Sequence, residues 1–299
     1  MSDELRISSR PTLRRPLMVV AFRGWNDGGQ GASLAGGYLA KAWGAARFAE
    51  VDPEGFFDFQ ATRPHVSLVE GLTRRLDWPD NAFYHARIPG LGRDVVLMLG
   101  IEPNLRWRTF SELVVGLGRD LGVEVLVTLG SLLADVPHTR PAPVTGAATD
   151  PKLVAEMGLE PSRYEGPTGI VGVLHDTCRR EQIPSVSLWA AVPHYVSLAP
   201  SPRAALALCQ RLAELFRVEI DTAELEQAVD AYNEQVSEAV AADAETAAYV
   251  EELEQRTDVL EENLPSGDTL AAELTRFLRE RDEEDDDEQP GDRPTEPPA

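Results

Sequence analysis

Val123–Asp150, VEVLVTLGSLLADVPHTRPAPVTGAATD, is the stretch on which the fold turns. Its opening, Val123–Leu129, is apolar except for Glu124 and Thr128, rich in β-branched side chains, and followed by Gly130. A short run of this kind reads as a strand with helices over both faces, hence part of a layered α/β sheet. The continuation, Asp135–Gly146, carries three prolines around His138 and Arg140. Proline fixes its own φ and restricts the residue before it, so the loop is stiff. Open α/β sheets place ligands and partners at the carboxyl ends of their strands, where this loop would lie. The same prolines would equally serve to stop the strand and cover a sheet edge.

Outward from that stretch, the 299 residues suffice for a sizeable core, and the net charge of −22 argues against nucleic acid, which needs a basic stripe. No apolar run is long enough for a membrane helix, and Met1–Arg6 has no apolar segment like that of a secretory signal, so the expected location is cytoplasmic. Cys178 and Cys209 lie in helical patterns as core thiols, with no metal-ligand spacing around them. Glu280–Ala299 holds ten acids against Arg281 and Arg293, with four prolines; residues 281–299 read as a disordered acidic tail.

Residues 1–15 read as a flexible lead-in, and 16–220 as the α/β body. In the body, Pro16–Phe22 is a buried strand, Arg23–Gly31 a glycine-rich turn and Ala32–Trp43 a helix rich in small residues. A dinucleotide fingerprint fails here, because Leu34 stands where the third small residue belongs; the glycines instead permit a tight turn and close helix packing. No Walker sequence occurs, and no cofactor or metal is expected. Arg47–Val51, Gly55–Phe59 and Phe83–Arg87 read as strands, with residues 63–79 an excursion from the main sheet. Asp94–Gly100 is a buried strand and Trp107–Leu121 a helix; Ile170–Gln182, Ser185–Ala191 and Pro202–Arg217 continue the alternation as helix, strand, helix. The alternation predicts a mostly parallel, doubly covered sheet. Residues 221–280 read as a helical extension, a hairpin of one long acidic helix and a second at Thr269–Arg279, joined by Asn263–Asp268.

Four strands are expected to end in polar loops, which makes Arg23, Asn26, Asp27, Glu102, Asn104, His138, Arg140 and His194 the candidate ligand-pocket residues. Carboxylates and histidines on one rim could carry acid–base work, and arginines with backbone N–H groups could hold an anion. Each residue also has a structural alternative: Asp27 as a helix N-cap, Glu102 as a solvated group before Pro103, His194 as a hydrogen-bonded loop residue. His138 is the strongest single candidate, because its loop is so rigid. His65, His85 and His175 read as structural.

At VAFRGWNDGGQGAS, VTLGSLLADVPHTRPAPVTG, YEGPTGIVGVLHDTC and SLWAAVPHYVS the chain resembles the PAC2 family of proteasome-assembly-chaperone-2-like proteins, in its actinobacterial branch, from about Pro16 to Arg217. The resemblance implies a three-layer α/β/α sandwich like that of nucleoside phosphorylases, assembled as homo-oligomers, trimers included. It implies a non-enzymatic chaperone or adaptor that contacts proteasome subunits. Family chaperones can dock through a hydrophobic-Tyr-X tail, a pattern from which Thr295–Ala299 departs. The alternative is an enzyme of nucleoside phosphorylase or hydrolase type. An ATP-dependent ligase, a label the family has also carried, would use lysines on the phosphates, and Lys41 and Lys152 sit in poor contexts for that.

Overall fold

The structure, a computed structural model, describes residues 4–71, 73–88, 92–148, 150–159 and 164–262. The second helix of the expected hairpin, Thr269–Arg279, and the acidic tail lie outside the described residues. One compact unit runs to Val250, and a second begins at Glu251.

In chain order the elements are β1 (Leu5–Ile7), β2 (Leu17–Arg23), α1 (Gly31–Ala42), β3 (Ala46–Val51), β4 (His65–Val69), β5 (Thr73–Asp77), β6 (Asn81–Arg87), β7 (Asp94–Ile101) and α2 (Trp107–Asp120). They continue as β8 (Val125–Ala134), β9 (Val144–Ala148), α3 (Pro151–Met157), α4 (Ile170–Arg180), β10 (Ser185–Pro193), α5 (Pro202–Phe216), α6 (Ala223–Ala241) and α7 (Ala244–Glu262). Eight strands form one mixed sheet in the order β1-β3-β6-β7-β2-β8-β10-β9. The four central strands β7, β2, β8 and β10 are mutually parallel, and the flanking pairings are antiparallel.

Strand β2 shows why the molecule has three layers. Leu17, Val19 and Ala21 point into one apolar cluster, and Met18, Val20 and Phe22 into the other. The first cluster takes Ala32, Ala35 and Leu39 of α1 and Ala205, Leu208 and Leu212 of α5; the second takes Phe110 and Val114 of α2 and Ile170 and Leu174 of α4. A strand buried on both faces has no use for polar alternation, which is why it reads as a continuous apolar run. At Gly36 a Cβ would stand 2.6 Å from Leu99, so glycine lets α1 settle directly on the sheet.

Several local expectations change. The stretch taken to end at Gly130 is strand through Ala134, because the Trp189 ring of the neighbouring strand covers Gly130, where a Cβ would meet it at 2.5 Å. The stiff loop therefore spans only 135–143, and the chain from Val144 returns as β9, antiparallel to β10 at the sheet edge. Residues 5–7 of the expected lead-in form β1, paired with Ala49–Val51. Gly55–Phe59 is not a strand; a 3-10 turn at Pro53–Gly55 leads into further turns, with Asp52 capping it by accepting the Glu54 N–H at 2.9 Å. The long acidic helix is two helices, α6 and α7. It breaks because Asp243 caps the second, accepting from Glu245 N at 3.2 Å and Thr246 Oγ1 at 2.6 Å.

Candidate functional site

The parallel alignment of β7, β2, β8 and β10 sets their four polar loops side by side at one end of the sheet. The register makes the rim continuous: Arg23 lies opposite Ile101, Asp27 bridges to Ser131, and Pro193 lies opposite Ala134. The candidate residues thus share a rim. Their side chains turn to separate tasks along it.

At the centre, the Asp27 carboxylate accepts the backbone N–H groups of Ala32 at 2.8 Å and Ser33 at 3.1 Å, and the Ser131 hydroxyl at 3.3 Å. It caps α1 from outside the helix and occupies the N–H groups that an anionic ligand would need. Burial is the main cause that raises its pKa above the ordinary carboxylate range, and the bonds from Ser33, Ala32 and Ser131 pull the other way. Its second oxygen, Oδ2, and the Oδ1 of the neighbouring buried Asn26 have no hydrogen-bond partner among the described residues. Asn26 donates to the Phe22 carbonyl at 3.5 Å.

Glu102 reaches across two loops. Its carboxylate accepts the Ile170 N–H at 2.9 Å, capping α4, and the Trp25 N–H at 3.1 Å. Gly24, with φ of 143°, has no room for a Cβ, which would lie 2.8 Å from that of Glu102. Asn104 organises a different loop, accepting from Asp58 N and Thr62 Oγ1, both at 3.0 Å.

His138 is 2 % exposed. Tyr195 Oη accepts the His138 backbone N–H at 2.8 Å and lies 2.9 Å from ring Nδ1, while Nε2 lies 3.1 Å from Ser237 Oγ on α6. Both ring nitrogens of His138 are thus engaged, one by Tyr195 and the other by Ser237. Nearby, buried Arg203 donates to Asn233 Oδ1 on α6 at 2.9 Å and to the Arg140 carbonyl. Tyr232 of α6 donates to the Leu198 carbonyl at 3.2 Å. Three polar ties thus fasten α6 over the rim at β8 and β10. His194, near the surface, has Nδ1 3.1 Å from Asp135 Oδ1 and its ring edge against Tyr195 and Tyr249.

An open depression near the rim, about 340 Å³, is lined by Arg23, Gln30, Ser33, Leu34, Asp80 and Pro200 among others. Of the eight candidates, Arg23 alone lines it. The thiols of Cys178 and Cys209 are buried, and burial pushes both up to about 12, so neither is a thiolate nucleophile near neutral pH. No group of three or more His, Cys, Asp or Glu side chains is placed to hold a metal ion among the described residues. Beside exposed polar groups such as Arg23, Asp135 and His194, the rim leaves three large apolar side chains in solvent: Trp25 is 67 % exposed, Leu133 58 % and Leu132 42 %.

The residues that the sequence reading left out of the candidates are the partners: Ser131, Tyr195, Arg203, Asn233 and Ser237. The polar Thr128 inside β8 was a visible signal. It lies 2.9 Å from His175 Nε2, whose Nδ1 lies 2.8 Å from Ser185 Oγ, and desolvation of this enclosed ring lowers its pKa from 6.5 to about 4.

Comparison with known proteins follows the fold. The model of the PAC2 family matches residues 21–240. A PAC2 family protein from Streptomyces avermitilis is 47 % identical, with 79 % of this chain and 99 % of that one covered at a TM-score of 0.74. A proteasome-assembly chaperone homologue from Mycobacterium tuberculosis is 46 % identical, with 78 % and 99 % covered at a TM-score of 0.72. An archaeal proteasome activator from Pyrococcus furiosus shares the fold at 18 % identity, with 79 % and 97 % covered and a TM-score of 0.64. A search of curated proteins returns no match.

Proposed function

Since this chain belongs to the PAC2 family, we propose that it is a non-enzymatic proteasome-assembly-chaperone-like or adaptor protein, working in the cytoplasm as a homo-oligomer that contacts proteasome subunits. The observation that carries this reading is the division of labour on the rim. Asp27, Glu102 and His138, the groups best suited to acid–base work, hold α1, α4 and α6 in place. Trp25 and Leu133 meanwhile face solvent. A tryptophan whose backbone is fixed by Glu102 loses little freedom on binding, and exposed aromatic anchors of this kind dominate protein–protein contacts. The name of the Mycobacterium relative, at 46 % identity, supports the proteasome as partner.

The test is crosslinking and affinity capture of the full chain from its native cells, with Trp25→Ala and Leu133→Asp in parallel. The expected result is recovery of proteasome subunits by the wild type and several-fold less by either variant. Absence of proteasome subunits from the wild-type capture would overturn the reading.

A further inference from the structure

The hairpin β4–β5 forms a sheet of its own, outside the eight-stranded one. Its two faces differ. His65, Ser67 and Val69 share one face with Arg75 and Asp77, where Arg75 Nε donates to Asp77 at 2.8 Å and Ser67 Oγ donates to it at 3.2 Å. The other face has Arg74 at one end, opposite Leu68, and otherwise carries Val66, Leu68 and Leu76, the last directly opposite Val66. These three are 59 %, 66 % and 56 % exposed. A lone two-stranded hairpin is marginal in water, and this one leaves its apolar face bare.

Its two outer edges differ as well. The β5 edge carries Arg74, Arg75 and Asp77, charges of the sort that keep an edge from pairing. The β4 edge, HVSLV, holds no Lys, Arg, Asp, Glu, proline or glycine, and its register with β5 has no bulge. Among the described residues its backbone pairs with β5 alone. An unguarded edge beside a bare apolar face is a template for another strand. The same strand from a second copy fits best. Antiparallel pairing about a two-fold axis at Ser67 sets Val66 opposite the partner subunit's Leu68, and Leu68 opposite the partner subunit's Val66, on the apolar face. The guarded β5 edges then lie outermost.

We propose that β4 is a self-association edge: two copies join β4 to β4, antiparallel and centred on Ser67, into a four-stranded sheet β5-β4-β4-β5. The proposal rests on the self-association put forward above and names its surface. It is tested on the full chain by sedimentation velocity over a concentration series and by crosslinking Ser67→Cys with a short bis-maleimide, wild type serving as control because Cys178 and Cys209 are buried. Expected are a reversible dimer or a multiple of it, a covalent dimer through position 67, and association weakened by about tenfold or more in Ser67→Pro, which takes an N–H out of the strand, and in Leu68→Lys. Should Ser67→Pro misfold by circular dichroism, Leu68→Lys carries the test. A wild type that stays monomeric overturns both this proposal and self-association. An oligomer indifferent to Leu68→Lys overturns the β4 edge alone, with or without a crosslinked product. Weakened association without a covalent dimer overturns the two-fold register.

Discussion

Replacing Glu102 by alanine separates a structural carboxylate from a catalytic one. Its removal leaves the Ile170 N–H at the start of α4 without its cap, at a cost of about 1–2 kcal/mol. The negative charge at that helix N-terminus adds roughly 0.5 kcal/mol. The Trp25 N–H is open to water and adds no more than about 0.5–1 kcal/mol. The expected loss is therefore about 2–3 kcal/mol, which for a domain of this size lowers the melting temperature by roughly 5–10 °C. Glu102→Gln keeps an acceptor oxygen but not the charge and should lose about 1 kcal/mol. Thermal and urea denaturation give the magnitude, and hydrogen exchange at Ile170 and Trp25 gives the location. If Glu102→Ala melts like wild type with the Ile170 amide still protected, the capping argument fails. A carboxylate held in place for chemistry tends to be neutral or costly to stability, so its removal would leave the fold as stable or more so.

Other perturbations follow from the same rim and core. His175 is neutral in the fold, with its pKa lowered to about 4, so the unfolded chain takes up the proton first. Stability should fall as pH drops from 6.5 towards 4, by up to about 3 kcal/mol, and His175→Gln should flatten that slope in urea titrations at stepped pH. Asp27 has the opposite sign: its raised pKa means the folded state binds the proton more tightly, so its contribution declines as pH rises through the window above 3.8. Asp27→Asn, which keeps the cap oxygen, should change stability at neutral pH by less than about 1 kcal/mol, whereas Asp27→Ala should lose about 2–3 kcal/mol in equilibrium denaturation. His138→Ala should cost about 2–3 kcal/mol and speed hydrogen exchange in α6 more than in β2 or β7, with Ser237→Ala a milder version near 1 kcal/mol. Equal acceleration everywhere would refute the tie to α6.

The layered body was legible because its signals are local. The apolar runs of β2, β7 and β10 and the helical spacing of α2, α4 and α5 each report burial directly. Gly130 misled because glycine stops a strand in isolation, yet here it makes room for Trp189. The prolines at 141 and 143 hid β9, which needs only an edge position beside β10. The rim itself could be read from strand ends, but its wiring could not. His138 meets Ser237 99 residues on, and Glu102 caps a helix 68 residues on; nothing local encodes either bond. The Asp243 cap that splits α6 from α7 was available, since an aspartate ahead of Glu245 and Thr246 is a helix start.

Crosslinking mass spectrometry of the full chain in its native cells, with a photoreactive group carried at Trp25, bears most directly on the account. The rim reading predicts covalent links from position 25 to proteasome subunits, lost when Leu133 is made aspartate. Links confined to other copies of the chain, or none to the proteasome at all, would contradict it.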